Sequence, residues 1–228
     1  MAKQGKKYQK SMQEAGNRHV LRSMKDALEL VVKTAYAKFD ETISVDIVLG
    51  IDPSKGDQVV RGNAMLPHGT GKKMRILALV GADKEAEARN AGADFVGAED
   101  LVEKINSGWC DFEAAVATPD MMNVISKVAK ALGPRGLLPN KKTGTVSEHI
   151  GSVIEEIKKG RVTFRNDKGG NVHAMFGKRS FGIEKLRENL EALVTAVRAA
   201  KPHTSKGKFF RKMVVSSTMG IGIAVKVE

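Results

Sequence analysis

The stretch from Met74 to Gly160 most constrains what this chain can fold into, because short apolar runs alternate there with amphipathic helical segments. "MRILALVG" is followed in turn by "DKEAEARNAG", "DFVG", "EDLVEKINSG", "FEAAVATP" and "DMMNVISKVAKALG". Strand and helix in alternation predict a parallel sheet covered by helices, since parallel neighbours need a crossover long enough to hold a helix. Asp83, Glu99 and Asp100 place acids where two helices begin, and Gly92 and Gly108 stand where they end. A last helix is expected from Ser147 to Gly160.

The flanks have a different pattern. Before this stretch lie a helix, "MKDALELVVKTAYAKF", and two strand-like runs, "ETISVDIVLGID" and "QVVRGNAMLP". Ile43, Val45, Ile47 and Leu49 alternate with polar residues, the period of a strand buried on one face. After it, "RVTFRNDKGGNVHAMFGK" predicts a hairpin turning at Gly169-Gly170. A long helix from Ile183 to Lys201 and a strand-rich end, "RKMVVSSTMGIGIAVKVE", complete the chain. Antiparallel elements thus stand on both sides of a parallel-type unit.

Charge sharpens the division. The chain has 38 Lys+Arg against 26 Asp+Glu, a net charge of +12. Residues 68–159 hold 13 of each, so the other 25 basic and 13 acidic residues carry the whole excess. The pattern predicts a basic domain built from residues 1–67 and 160–228, interrupted by a neutral α/β domain at 68–159. The excess predicts a polyanionic partner. The basic start contains no apolar core of signal-peptide length, and no apolar run approaches the ~20 residues of a membrane helix, so an intracellular protein with no membrane partner is expected.

Catalytic and metal signatures are thin. "LPHGTGKK" is glycine-rich and basic, but a phosphate loop would need glycine at Leu66 and a hydroxyl at Lys73, and would follow a strand rather than precede one. It reads as a flexible connector between domains. "GADKEAEARNAG" lacks the Gly-x-Gly-x-x-Gly of dinucleotide folds. The five histidines have no ligand spacing, and Cys110 has no second cysteine; packing or a reactive thiol are its two readings. No metal, cofactor or catalytic residue is therefore expected. The alternative function, a nucleotide-binding enzyme using the α/β insert, rests on element order alone.

The basic domain offers more. In "RVTFRN", Val162 and Phe164 point one way while Arg161, Thr163 and Arg165 point the other. In "SSTMGIG", hydroxyls could meet ribose 2′-OH groups and glycine would allow close backbone approach; a polar strand edge with a turn explains the same residues. Aromatics make up only 5%, which favours shape and backbone contact with folded RNA over a stacking platform.

"LGPRGLLPN", "KFDETISVDIVLGIDP", "VRGNAMLPHGTGK", "ATPDMM", "FRNDKGG" and "STMG" together resemble the bacterial large-subunit ribosomal protein one family, the proteins of the mobile ribosomal stalk. The similarity covers essentially the whole chain, in order. It implies a split α+β RNA-binding domain with an inserted three-layer α/β Rossmann-like domain, a monomer when free, without enzymatic activity. It further implies three partners: large-subunit ribosomal RNA, the deacylated exit-site tRNA whose release the stalk assists, and the mRNA of the protein's own operon, whose translation it represses. Carried over by motif, the ribosomal RNA contacts are Lys38, Phe39, Glu41 and Thr42 with Ser217, Thr218, Met219 and Gly220, joined by Arg165 and Lys168. Glu41 would accept hydrogen bonds from 2′-OH groups, and the basic start from Lys3 to Lys10 would add phosphate contact or remain disordered when free. Pro67, His68, Gly69 and Gly160 would form a two-strand hinge. Arg135 would touch tRNA or other ribosomal RNA, or fix its own loop.

Overall fold

A computed structural model describes residues 5–227, so Lys3 lies outside the described residues. The fold is mixed α/β and divides into two compact units, one formed by the chain up to Gly71 and from Gly160 onward, the other by Lys72–Lys159. The first unit opens with α1 (Lys6–Ala15), α2 (Met24–Thr34), β1 (Thr42–Leu49) and β2 (Arg61–Met65). The second holds β3 (Ile76–Leu79), α3 (Ala82–Asn90), β4 (Phe95–Gly97), α4 (Glu99–Asn106) and β5 (Ala114–Ala117). It ends with the short α5 (Met122–Ser126) and α6 (Ala129–Leu132), then α7 (Ile150–Lys159). The chain returns to the first unit as β6 (Arg161–Arg165), β7 (Asn171–Lys178), α8 (Ile183–Ala199), β8 (Phe210–Ser217) and β9 (Ile223–Val225). Among the described residues no helix is long and apolar enough to cross a membrane.

In the first unit an antiparallel sheet runs β7-β1-β8-β9. The alternation in β1 puts Ile43, Val45, Ile47 and Leu49 into a core with Leu28 and Val31 of α2 and Leu186, Leu190, Leu193 and Val197 of α8. Each such side chain, fully buried, stabilises the fold by about 1.5–3 kcal/mol. The alternate positions, Thr42, Ser44, Asp46 and Val48, stay half-buried on the other face.

In the first unit three elements differ from the pattern reading, each for a local reason. First, α2 begins on the Ser23 hydroxyl, which accepts the Asp26 N–H, but stops at Thr34 rather than Phe39, because Ala37 donates its N–H to the Glu41 carboxylate instead of continuing the helix. Second, the chain does reverse at Gly169-Gly170, where Asp167 accepts the N–H groups of Gly169 and Asn171. The two arms then part after the single Asn166–Val172 bridge. Asn166 explains the parting: its backbone N–H donates to Val60 O and its side-chain oxygen accepts the Val60 N–H, drawing β6 onto β2 in a separate two-stranded ribbon. Third, Lys6–Ala15 is a helix, seated by the buried Ser11 hydroxyl donating to Thr34 O; its inward positions are Tyr8, Ser11 and Ala15, which carry little apolar signal.

The second unit has a parallel sheet in the order β4-β3-β5. Leu77 and Leu79 pack with Leu101, Val102 and Ile105 of α4 and with Ile125 and Leu132, while Ile76, Ala78 and Val80 pack on the opposite side with Ala88, Ile150 and Ile154. Both faces of β3 are therefore covered, as its unbroken apolar run requires. The single helix expected over 120–133 is broken into a turn, α5 and α6, with Lys127 and Val128 bonded three residues back. Ser147 accepts the His149 N–H in a tight turn, so α7 begins at Ile150 rather than Ser147.

The first unit continues past Pro67 to Gly71 because the buried Asn189 accepts the His68 N–H and donates to Gly69 O and Phe176 O. The returning chain passes so near that a Cβ on Gly160, whose φ is +113°, would lie 2.3 Å from the Gly69 Cα. Replacing Gly160 by alanine should therefore destabilise the chain by roughly 1–3 kcal/mol in chemical unfolding. The same replacement at Gly56, where a Cβ meets nothing, should leave the midpoint nearly unchanged.

Candidate nucleic-acid interface

At one end of the four-stranded sheet, the start of β1 lies between the ends of β7 and β8, with Thr42 opposite Lys178 and Ile43 opposite Ser217. Glu41 stands at this junction and is fully buried. One carboxylate oxygen accepts the Ala37 N–H at 2.7 Å; the other accepts the Ser217 hydroxyl at 2.6 Å and the Met219 N–H at 3.1 Å. Burial alone would raise the Glu41 pKa, but the bonds from Ser217, Ala37 and Met219, with the Arg179 charge, outweigh it and hold the group below its usual 4.5. In place of the outward acceptor of ribose hydroxyls expected from sequence, Glu41 is an inward one. Ser217, buried and bonded to it, is likewise turned away from solvent.

That anchor shapes the exposed surface. Thr218 continues the β1–β8 ladder by one step, its N–H donating to Thr42 O and its hydroxyl accepting the Thr42 N–H. Gly220 closes the turn by donating to Ser217 O, and a Cβ there would lie 2.3 Å from the Ser217 hydroxyl oxygen, so no larger residue fits beside the Ser217–Glu41 bond. Asp40 accepts both the N–H and the hydroxyl of Ser180. With the backbone held on both sides, Phe39 is 55% exposed and Met219 50% exposed, amid exposed Lys38 and Thr218. An apolar ring and a thioether held outward among hydroxyls and cations can stack on a base or ribose while the cations meet phosphate.

The site residues carried over by motif fall into two places. Lys38, Phe39, Glu41, Thr42, Ser217, Thr218, Met219 and Gly220 converge. Arg165 and Lys168 precede β7 at its far end, where Asn171 lies opposite Val48, about 20 Å along the strand from Lys178. The register adds residues that sequence alone did not single out. Lys178 stands opposite Thr42, and the 40%-exposed Met175 lies opposite Ser44, whose hydroxyl is 3.4 Å from that of Ser216. Midway along this open face His173 pairs through Nδ1 with Asp46 at 2.7 Å and through Nε2 with Asp167 at 3.5 Å. The Asp46 bond chiefly raises the His173 pKa above 6.5, while Asn171 and the other donors hold Asp167 down at about 2.

In the second unit the C-terminal ends of β3, β4 and β5, where an open α/β sheet receives a nucleotide, lead into helical turns that begin with Asp83 and Glu85, Glu99 and Asp100, and Asp120. Carboxylates at those starts oppose a phosphate.

Residues 31–221 match the model of the ribosomal protein L1p/L10e family, a span that contains every residue of the converged edge. The chain belongs to that family. It is 48% identical over 225 residues to the large ribosomal subunit protein uL1 of Maridesulfovibrio salexigens, covering 99% of this chain and 95% of that protein. It is 49% identical over 228 residues to the uL1 of Solidesulfovibrio magneticus, covering all of this chain and 97% of the relative.

Two outcomes follow from these contacts. Because the folded pKa of Glu41 is lowered, its contribution is fully present above its unfolded pKa near 4.5 and is lost as pH falls through the folded value. E41Q, which turns an amide towards donors, should cost about 1–3 kcal/mol at pH 7 and flatten this acid limb of the stability profile. The His173 imidazole should titrate above 6.5 by NMR and move down in D46N; its pairing stabilises below the unfolded pKa and fades as pH rises through the folded one.

Proposed function

We propose that the chain is a structural, non-catalytic constituent of the large ribosomal subunit, ribosome-bound in the cytoplasm, and that it holds large-subunit (23S) ribosomal RNA on the edge built by Lys38–Thr42 and Ser217–Gly220. The observation that carries this reading is the outward Phe39 and Met219 on backbone pinned by buried Glu41. Their division of labour follows from burial: Phe39, Met219, Lys38, Thr42 and Thr218 touch RNA, while Glu41, Ser217 and Gly220 position them. Family membership and the names of its relatives support the ribosomal assignment.

On this reading the first unit is the split α+β RNA-binding domain and Lys72–Lys159 is the inserted three-layer Rossmann-like domain. Pro67, His68, Gly69 and Gly160 form the hinge. The insert serves as the stalk arm that accompanies deacylated tRNA from the exit site. An operon mRNA segment shaped like the ribosomal RNA site occupies the same edge, which makes translational repression and ribosome assembly mutually exclusive uses of one surface. Ordering by shape and ribose contact suits RNA over DNA, because the 2′-OH is the group the exposed hydroxyls can read.

Filter binding of the full-length chain to a fragmented large-subunit ribosomal RNA pool, at several salt concentrations, tests the reading. The chain should retain a small set of fragments, and random duplex DNA should bind far more weakly. F39A should weaken binding to the retained fragment by roughly 5- to 150-fold, since one base stacked on an aromatic ring is worth about 1–3 kcal/mol, and M219A should weaken it in the same direction. Their unfolding midpoints should stay within about 0.5 kcal/mol of the parent. Equal retention of duplex DNA, or F39A and M219A that bind as well as the parent, would remove the edge from consideration.

A further inference from the structure

Thioethers are divided sharply between inside and outside in this chain. Among the described residues Met65, Met122, Met175 and Met219 are each 40% or more exposed, whereas Met213, in the strand that leads to Met219, is 1% exposed. Solvent access governs how fast a thioether is oxidised, so the first group is open to small oxidants and Met213 is shielded. Met219 differs from the other three in how its backbone is fixed. Its own N–H donates to the buried Glu41 carboxylate at 3.1 Å. The residue before it is paired with Thr42 through both the Thr218 N–H and the Thr218 hydroxyl. The residue after it closes the turn, the Gly220 N–H donating to Ser217 O at 3.1 Å. With a Cβ on Gly220 only 2.3 Å from the Ser217 hydroxyl oxygen, the turn has no room to sink inward. The sulfur of Met219 is therefore offered to solvent by a turn that cannot withdraw it.

We propose that Met219 is a reversible oxidation site that switches the edge off: hydrogen peroxide converts its thioether to the sulfoxide, and the sulfoxide form takes up RNA poorly. A sulfur lone pair attacks one peroxide oxygen, the O–O bond breaks as the S–O bond forms, and the other oxygen leaves as water after a proton shift. Sulfur loses two electrons and the peroxide gains them. A sulfoxide reductase reverses the step, oxidising two thiols to a disulfide as the oxygen departs as water. The change matters because an apolar, polarisable contact becomes a polar one. An S=O oxygen accepts hydrogen bonds and has no proton to give, so a phosphate backbone closing over it strips its water and offers acceptors in return. The turn, fixed on both sides, cannot move aside to relieve this. RNA already bound covers the sulfur, so the switch acts on free chains: oxidant slows the uptake of new protein and leaves the bound protein in place. The inference rests on the reading of this edge as the RNA-binding surface.

The test treats the full-length chain with dilute hydrogen peroxide, follows each methionine by peptide mass spectrometry, and measures binding to the ribosomal RNA fragment that the parent retains. Met219 should gain oxygen as fast as Met65 and Met122 and far faster than Met213. The oxidised chain should bind roughly fivefold or more weakly, the scale of an uncompensated polar group in a contact, with its thermal midpoint unchanged. Reductases for the two sulfoxide epimers should restore binding. Each variant is compared with its own untreated form: M219L should lose no affinity on oxidation, and the M65L/M122L double variant should lose as much as the parent. With the fragment bound, Met219 should be protected while Met65 and Met122 still gain oxygen. Met219 oxidising no faster than Met213 would overturn the proposal whatever the chain binds. So would M219L losing as much affinity as the parent, or a lowered midpoint that accounts for the loss. If the untreated parent retains no fragment, the functional reading falls and takes this inference with it; equal retention by the oxidised and untreated chains removes this inference alone.

Discussion

The buried carboxylate of Glu41 is the interaction on which the edge depends. A carboxylate out of water is tolerated only where donors replace its hydration, and here the donors come from both sides of the junction: Ala37 before β1, Ser217 and Met219 after β8. The cost of burial thus becomes a constraint, since the group is satisfied only when segments 176 or more residues apart are in place. Phe39 and Met219 ride on those segments. Their exposure would be a liability on a loose loop, but on a pinned one it is preorganisation, because little ordering entropy remains to be lost when a ligand arrives.

Two further buried polar side chains act by the same logic. Asn166 takes the Val60 N–H and so determines which strand β6 joins. Asn189, on the inner side of α8, holds His68, Gly69 and Phe176 and so determines how far the first unit extends before the chain departs. An apolar core tolerates several arrangements of similar volume, whereas a polar group inside it is satisfied in few. Specificity in this unit therefore rests on a handful of amide and carboxylate groups set into an aliphatic core.

This distribution explains what could be read from the residues. The period-two burial of β1, the parallel sheet of the second unit and the turn at Gly169-Gly170 follow from apolar spacing and glycine placement, which act locally. The partner of β6 does not, because Val162 and Phe164 offer the same apolar face to β2 or to β7 and only Asn166 decides between them. The end of α2 was out of reach because the competing acceptor, Glu41, lies beyond the helix. The inward turn of Glu41 and Ser217 is invisible for the same reason: an acid beside a strand looks solvated until the donors around it are located. The places of Met175 and Lys178 are facts of register, which no single segment contains. The helix α1 was missed because its buried stripe is made of Tyr8, Ser11 and Ala15.

The position of β1 within its sheet bears on how the protein is made. β1 lies between β7 and β8, and the residues that complete Glu41's set of donors, Ser217 and Met219, lie 176 and 178 residues further along the chain. β3, β4 and β5, in contrast, lie within Ile76–Ala117 and find their partners nearby. A chain still being synthesised can thus close the second unit's sheet long before β1 has either neighbour, because short-range pairings close small loops first. Truncated products that stop before Met219 carry the aromatic half of the edge without its thioether half or its turn. On the reading proposed above, a ligand of the edge meets only chains in which Ser217 and Met219 have already closed on Glu41.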